Sequence, residues 1–219
     1  MKTKFFLVML LTVTALMGGC KFGRGVAGSG NRKTEKRELK SFKAIELNGA
    51  YTVNIACQKP VSFEIEADDN LLPLITTEVR DGVLVVNHTQ EFHSSKVPTL
   101  RIALADLETL KSHGAGQIKI TDVNNNQIGL DSDGAASLDA SGTTRFIAIG
   151  QTGAGKIDTS NLHAEKAQVT VSGASAIDVY ATEQLDVDIS GVASVTYSGN
   201  PKTVNKHISG IGSINPRGQ

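Results

Sequence analysis

Gly114-Ala-Gly116-Gln-Ile118 opens a pattern that returns five more times along the chain. The later copies are Gly134-Ala-Ala136-Ser-Leu138, Gly153-Ala-Gly155-Lys-Ile157, Gly173-Ala-Ser175-Ala-Ile177, Gly191-Val-Ala193-Ser-Val195 and Gly210-Ile-Gly212-Ser-Ile214. The leading glycines are separated by 20, 19, 20, 18 and 19 residues. Four positions before them stand Leu110, Leu130, Ile149, Val169 and Val187, with Lys206 in the sixth place. Self-similarity at a fixed period marks a repeat architecture. A leucine-rich repeat would need its regular leucine and asparagine positions, and calcium-binding nonapeptides would need paired glycines at half this period. The spacing predicts an all-β solenoid instead. Each turn of about 19 residues supplies two or three short strands, stacked at the ~4.8 Å strand spacing. Aliphatic columns point inward. Gly114, Gly134, Gly153, Gly173, Gly191 and Gly210 mark corners, where positive φ or close backbone approach excludes a side chain.

Upstream, residues 41–110 read as more conventional strands. Val53 and Ile55 alternate with polar residues, as do Val61, Phe63 and Ile65, and Leu100, Ile102 and Leu104. Val83-Leu-Val-Val86 is a continuous apolar run that predicts a strand covered on both sides. Asp68-Asp69-Asn70 predicts a capped helical turn closed off by Pro73. Gln90–Lys96 reads as a polar connection. These strands either continue the stack of residues 111–216 or cover one of its ends.

The N-terminus carries the features of an export signal. Lys2 and Lys4 precede an apolar stretch from Phe5 to Met17, and Gly18-Gly19 supply small residues before Cys20. The apolar run is too short for a permanent span, which needs about 20 residues. Cys20 directly after the small pair resembles a lipobox, with Met17 where leucine is usual. The expectation is therefore a lipoprotein signal peptide at 1–19 and an acylated Cys20 anchored in a membrane. The alternative is a conventional signal cut nearby, with Cys20 an incidental thiol. Residues 20–40 are rich in glycine and positive charge and are expected to form a flexible tether. Lys21 is not an inner-membrane retention aspartate, which favours an outer membrane, with the domain facing either the periplasm or the exterior.

Composition narrows the function. The chain holds 22 basic and 22 acidic residues. Loss of residues 1–19 removes Lys2 and Lys4 and no acid, leaving a net charge of −2, so nothing suggests a nucleic-acid partner. Cys57 is then the one cysteine besides Cys20, and no intrachain disulfide is expected. It keeps phase with the apolar face of Tyr51–Cys57 and reads as a small buried hydrophobe.

The mature chain resembles the auto-transporter adhesin head GIN domain family of bacteria. The landmarks are Phe42-Lys-Ala-Ile45-Glu-Leu-Asn-Gly49-Ala, Val53-Asn-Ile55, Ala67-Asp-Asp-Asn70-Leu-Leu, Leu107-Glu-Thr-Leu110 and the serial glycine motifs ending at Ile214-Asn215. The resemblance covers residues 41–216. It implies a right-handed, parallel β-helix-like fold and an envelope location. It brings no catalytic residues.

Two polar columns carry what chemistry there is. Lys119, Asp139, Asp158, Asp178, Thr196 and Asn215 each follow an inward aliphatic and are expected to face outward. Carboxylates ~5 Å apart repel by about 1 kcal/mol in water-like dielectric. The acidic ladder Asp139, Asp158 and Asp178 is either screened by solvent or relieved by a hard cation such as Ca²⁺. His113, Asp133, Thr152, Ser172, Ser190 and Ser209 form the second column, whose hydroxyls usually bond local backbone. The repeats offer only Phe146, Tyr180 and Tyr197 as aromatic platforms for a sugar. Polysaccharide cleavage would need a matched acid and base, yet only Arg145 and Arg217 follow Arg101, and His88 and His93 have no metal-ligand spacing. No catalytic residue and no cofactor is implied. The expectation is a non-enzymatic interaction module for a protein or glycan. A structural envelope component stacking end to end is the alternative. Lys206, Pro216 and Arg217 look like an end cap and favour the first.

Overall fold

Alternation with a period of two sends every second side chain of a strand to the same side. In this chain, most strands are aliphatic on one side, and the buried core runs from Phe42 to Ile214. The computed structural model describes residues 25–218; the signal peptide expected at 1–19 and Cys20 lie outside them. The first strands are β1 (Val26–Ala27), β2 (Arg32–Lys36), β3 (Ala44–Asn48), β4 (Tyr51–Ala56) and β5 (Ser62–Asp68). After a short 3₁₀ turn, Leu72–Leu74, come β6 (Ile75–Arg80), β7 (Val83–His88), β8 (Phe92–His93), β9 (Thr99–Ala103) and β10 (Thr109–His113). Four long, bent strands follow: β11 (Ala115–Ser132), β12 (Ala135–Gln151), β13 (Ala154–Val171) and β14 (Ala174–Ile189). β15 (Val192–Ser198), β16 (Thr203–Ile208) and β17 (Ile211–Pro216) end the chain. Together they wind a β-solenoid of about five turns.

Two faces meet at the glycine corner. The first face stacks β4, the opening halves of β11–β14, β15 and β17 in parallel. The second stacks β3, β10, the closing halves of β11–β14 and β16. Register aligns Val53, Ile118, Leu138, Ile157, Ile177, Val195 and Ile214 on the first face. On the second it aligns Ile45, Leu110, Leu130, Ile149, Val169, Val187 and Lys206. All but Lys206 are buried. The strands before residue 110 do both things expected of them. β3, β4 and β10 are rungs of the stack, while β5 and β2 extend the first face antiparallel and β6 extends the second antiparallel.

The corner glycines are required by close approach. A Cβ on Gly114, Gly134, Gly153, Gly173, Gly191 or Gly210 would fall onto the carbonyl oxygen of the corner glycine one turn earlier. For Gly114 that earlier residue is Gly49, which begins the column. The amides of Ala135, Ala154, Ala174, Val192 and Ile211 donate to those same oxygens at 2.8–3.0 Å. The backbone hydrogen bonds therefore run through the corner without a break, and a methyl group would split the stack. None of the six has a positive φ, so left-handed geometry plays no part there.

Three local expectations differ from the structure. Residues 26–36, read as tether, form β1 paired with β8 and β2 paired with β5. Glycine and charge hide these strands, because β2 lies on the edge and buries almost nothing. The Asp68-Asp69-Asn70 turn does not cap a helix. Leu71 is the cap residue with no side-chain cap bond, and Pro73 sits inside the 3₁₀ turn. The polar side chains instead hold the N-terminal segment: Asn70 accepts from the Ser29 amide at 2.9 Å and donates to Ala27 at 2.7 Å, and Asp69 accepts from the Ser29 hydroxyl at 2.6 Å. In β7, Leu84 and Val86 are buried, while Val83 and Val85 are only half covered.

Candidate functional site

The outward residues of the first face come from the same alternation that builds the core. Each stands one position after an inward aliphatic. Register aligns Lys119, Asp139, Asp158, Asp178, Thr196 and Asn215 in one column and extends it upstream through Asn54, Arg101 and Glu64. Two open depressions lie along it. One, of about 530 Å³, is lined by Asn54, Lys59, Ser62, Glu64, Arg101 and Lys119 among others. The next, of about 450 Å³, is lined by Lys119, Asp139, Ser141, Asp158 and Asn161 among others. Lys119 borders both, so the two form one polar groove that changes sign along its length. Lys119 and Asp139 have no ion-pair partner among the described residues.

Fixed charges flank this pair. Arg101 bridges Glu64 and Glu66, 2.9 Å from each, and Glu66 also meets Arg32 at 3.4 Å. Hydrogen bonding from Arg101 holds the Glu66 carboxyl below the usual range. At the other end, Lys156 sits 3.1 Å from Asp158 and 3.5 Å from Asp178, and Arg217 reaches Asp178 at 2.8 Å. Partial burial pushes the Asp158 pKa up, but hydrogen bonds from the Ser160 hydroxyl and amide and from Lys156 outweigh it and leave the group lowered. Asp158 and Asp178 are thus neutralised by the chain's own cations, whereas Asp139 has no such partner among the described residues. Among the described residues no cluster of three or more His, Cys, Asp or Glu is arranged to hold a metal ion. Lys156 was legible in principle: it stands two residues before Asp158 and so shares its face. Arg217 stands likewise two residues after Asn215.

The second polar column is also in place, at the glycine corner. His113 Nδ1 lies 2.6 Å from Asp133 Oδ2. Thr152 stands one rung beyond Asp133, on the side away from His113. Nucleophile activation needs the opposite order. The hydroxyls of Ser190 and Ser209 point back to Val171 and Ile189 carbonyls one turn earlier. His88 is tied to the Asn48 carbonyl at 3.2 Å and to Glu91 at 3.3 Å.

A third outward column escaped the sequence reading. Ala115, Ala135, Ala154, Ala174, Val192 and Ile211 stand just past the corner glycines. Five small or medium side chains culminate in Ile211, which is 74% exposed, with Val192 57% and Ile208 42% exposed. Nearby, Lys206 donates to the Ile214 carbonyl at 2.8 Å and lies 5.3 Å from the Tyr197 ring centre. Pro216 ends β17, and the Arg217 amide closes on Tyr197 at 2.7 Å.

Cys57 is buried and unpaired. Burial pushes its thiol up to about 11. Among the described residues no helix is long and apolar enough to cross a membrane.

Solved structures share this architecture. A putative adhesin from Bacteroides fragilis NCTC 9343 is 22% identical, with a TM-score of 0.73, and the match covers 88% of this chain and 100% of that one. A protein from Parabacteroides distasonis ATCC 8503, described as a putative lipid binding protein, is 20% identical with a TM-score of 0.58, covering 89% and 100%. At such identities the likeness shows the fold alone. No curated protein matches the chain. Residues 41–201 match the family model described as "Putative auto-transporter adhesin, head GIN domain", and the chain belongs to that family.

Proposed function

We propose that this protein is an envelope lipoprotein, acylated at Cys20, whose solenoid is a non-catalytic adhesin-like module. The observation that carries the binding role is the groove shared by Lys119, with unpaired Lys119 and unpaired Asp139 side by side on a rigid face. Rigid, solvated charges of both signs suit a partner protein or a charged glycan better than a small apolar ligand. Family membership supports an adhesin-like role. A general acid at neutral pH needs a raised pKa, whereas the Asp158 carboxyl is lowered. The proposed location is the outer membrane.

Two experiments test this reading. Protease shaving of intact cells reports exposure, and loss of the domain is the expected result if it faces outward. Purified protein is then applied to glycan and protein arrays. Lys119→Glu is expected to abolish binding seen with the wild type while leaving the melting temperature unchanged. Unaltered binding by that variant would remove the groove from the account, and release of oligosaccharides from an acidic polysaccharide would replace it with an enzyme.

The exposed Val192, Ile208 and Ile211 favour one second reading, end-to-end stacking as a structural element. Open-ended, concentration-dependent oligomers of residues 25–219 in sedimentation would select it.

A further inference from the structure

The chain leaves the folded domain at a defined place. The Val26 amide donates to the Glu91 carbonyl and the Gly28 amide to the His93 carbonyl, at 2.9 and 2.8 Å. Ser29 is then locked to Asp69 and Asn70, and the Asp69 amide donates to Asn31 at 2.9 Å. Gly28 presses so closely on the buried carboxylate of Asp68 that a side chain would not fit. Asp68 in turn accepts from the Ser94 hydroxyl at 2.8 Å. These contacts bring three separate segments, 26–31, 68–70 and 91–94, to the glycine corner at the N-terminal end of the stack.

Chain length then sets a limit. From Cys20 to Val26 there are six residue steps, which reach ~20 Å at most even if fully extended. The stack itself is longer. Ten strands lie side by side on the first face, from β2 through β5, β9, β4, β11, β12, β13, β14 and β15 to β17, and nine spacings of ~4.8 Å make about 43 Å. A lipid at Cys20 therefore keeps the N-terminal corner within ~20 Å of its anchor point, a distance shorter than the stack. The segment nearest the anchor also has the right charge. Lys21, Arg24, Arg32 and Lys33 precede the first acid, Glu35. Arg32 is held by Glu66 and Lys33 faces Asp69, while exposed Lys96 and Val97 lie in the loop that Arg32 bonds to, where Glu91 is the exposed acid. Basic and apolar groups together suit an anionic headgroup layer.

Building on the proposed acylation of Cys20, we infer that the 26–31/91–97 corner is a membrane-docking surface for an anionic phospholipid leaflet. It stands the solenoid on its N-terminal end. The rung bearing Ile208 and Ile211 is carried to the distal tip, where it is presented.

The test uses the full-length chain, processed in a bacterial host and reconstituted into phosphatidylethanolamine–phosphatidylglycerol vesicles with a headgroup acceptor dye. Donor dyes are placed through Ser95→Cys at the corner and Ser213→Cys at the opposite end, with the buried Cys57 left in place and the unsubstituted chain as blank. Energy transfer several-fold higher at position 95 than at 213 is expected. Twenty Gly/Ser residues inserted after Arg24 are expected to erase most of that difference. Equal transfer in the uninserted chain would overturn the docking surface. Mass spectrometry of the N-terminal peptide separates the two ideas: an unacylated Cys20, with a chain that fails to float with vesicles, would overturn the anchor itself.

Discussion

The carbonyl oxygen of Gly114 occupies the space that a side chain on Gly134 would need, one full turn further along the stack. That oxygen also accepts the Ala135 amide at 2.8 Å. Steric exclusion and hydrogen bonding thus act on one atom. Gly134→Ala is expected to cost about 3 kcal/mol or more, because the methyl can be accommodated only by parting two rungs. Gly129→Ala makes the control: its nearest neighbours would stand at 3.9 Å. It should be neutral or mildly stabilising, by up to about 1 kcal/mol. Thermal melting of the two variants checks both signs.

Gln151 is fully buried between Ser132 and Val171 in one interior column, and neither of its amide atoms has a partner among the described residues. An unmet buried amide costs roughly 1–3 kcal/mol. Gln151→Leu keeps the volume and removes the polar atoms, so an increase in stability of about that size is expected. Denaturant unfolding would show a higher midpoint with an unchanged slope.

The Asp158 carboxyl titrates below its ordinary value of 3.8 in the folded state. Its contribution is therefore complete above the unfolded value and disappears as pH falls through the folded one. Asp158→Asn is expected to lower stability by about 1 kcal/mol at neutral pH. The difference from wild type should shrink below pH 4. Because Lys156 and Arg217 already meet Asp158 and Asp178, millimolar Ca²⁺ is expected to leave the wild-type melting temperature unchanged.

Burial makes the Cys57 thiol a poor nucleophile, since only the thiolate reacts and its pKa is pushed up to about 11. Alkylation at pH 8 is expected to be negligible in the native protein and rapid in denaturant. Cys57→Ser should cost about 1–3 kcal/mol by burying an unmatched hydroxyl.

Lys206 closes the column that Val187 would otherwise leave open. Lys206→Val restores an aliphatic surface at the last rung beside exposed Ile208 and Ile211. Such an end invites another sheet edge. The expected outcome is concentration-dependent self-association of the variant under conditions where the wild type sediments more slowly.

The sequence by itself determined the solenoid, its period, the identity of the inward columns and the outward face of Asp139, Asp158 and Asp178. Periodicity is a local property: a residue two or nineteen positions away repeats the same environment, so the pattern is written in the chain. The tertiary structure alone decided the rest, because each remaining feature joins segments that share no period. Residues 26–31 became part of the domain through partners at 68–70 and 91–94, and nothing in a glycine-rich basic stretch encodes partners so far along the chain. Gly49 joined the corner column across a gap of 65 residues, where 52–110 fold as rungs and covering strands. Arg217 neutralised Asp178 only once the chain had wound two further turns. The sequence named the repeating unit; winding decided which residues, distant along the chain, close its ends and meet at its corners.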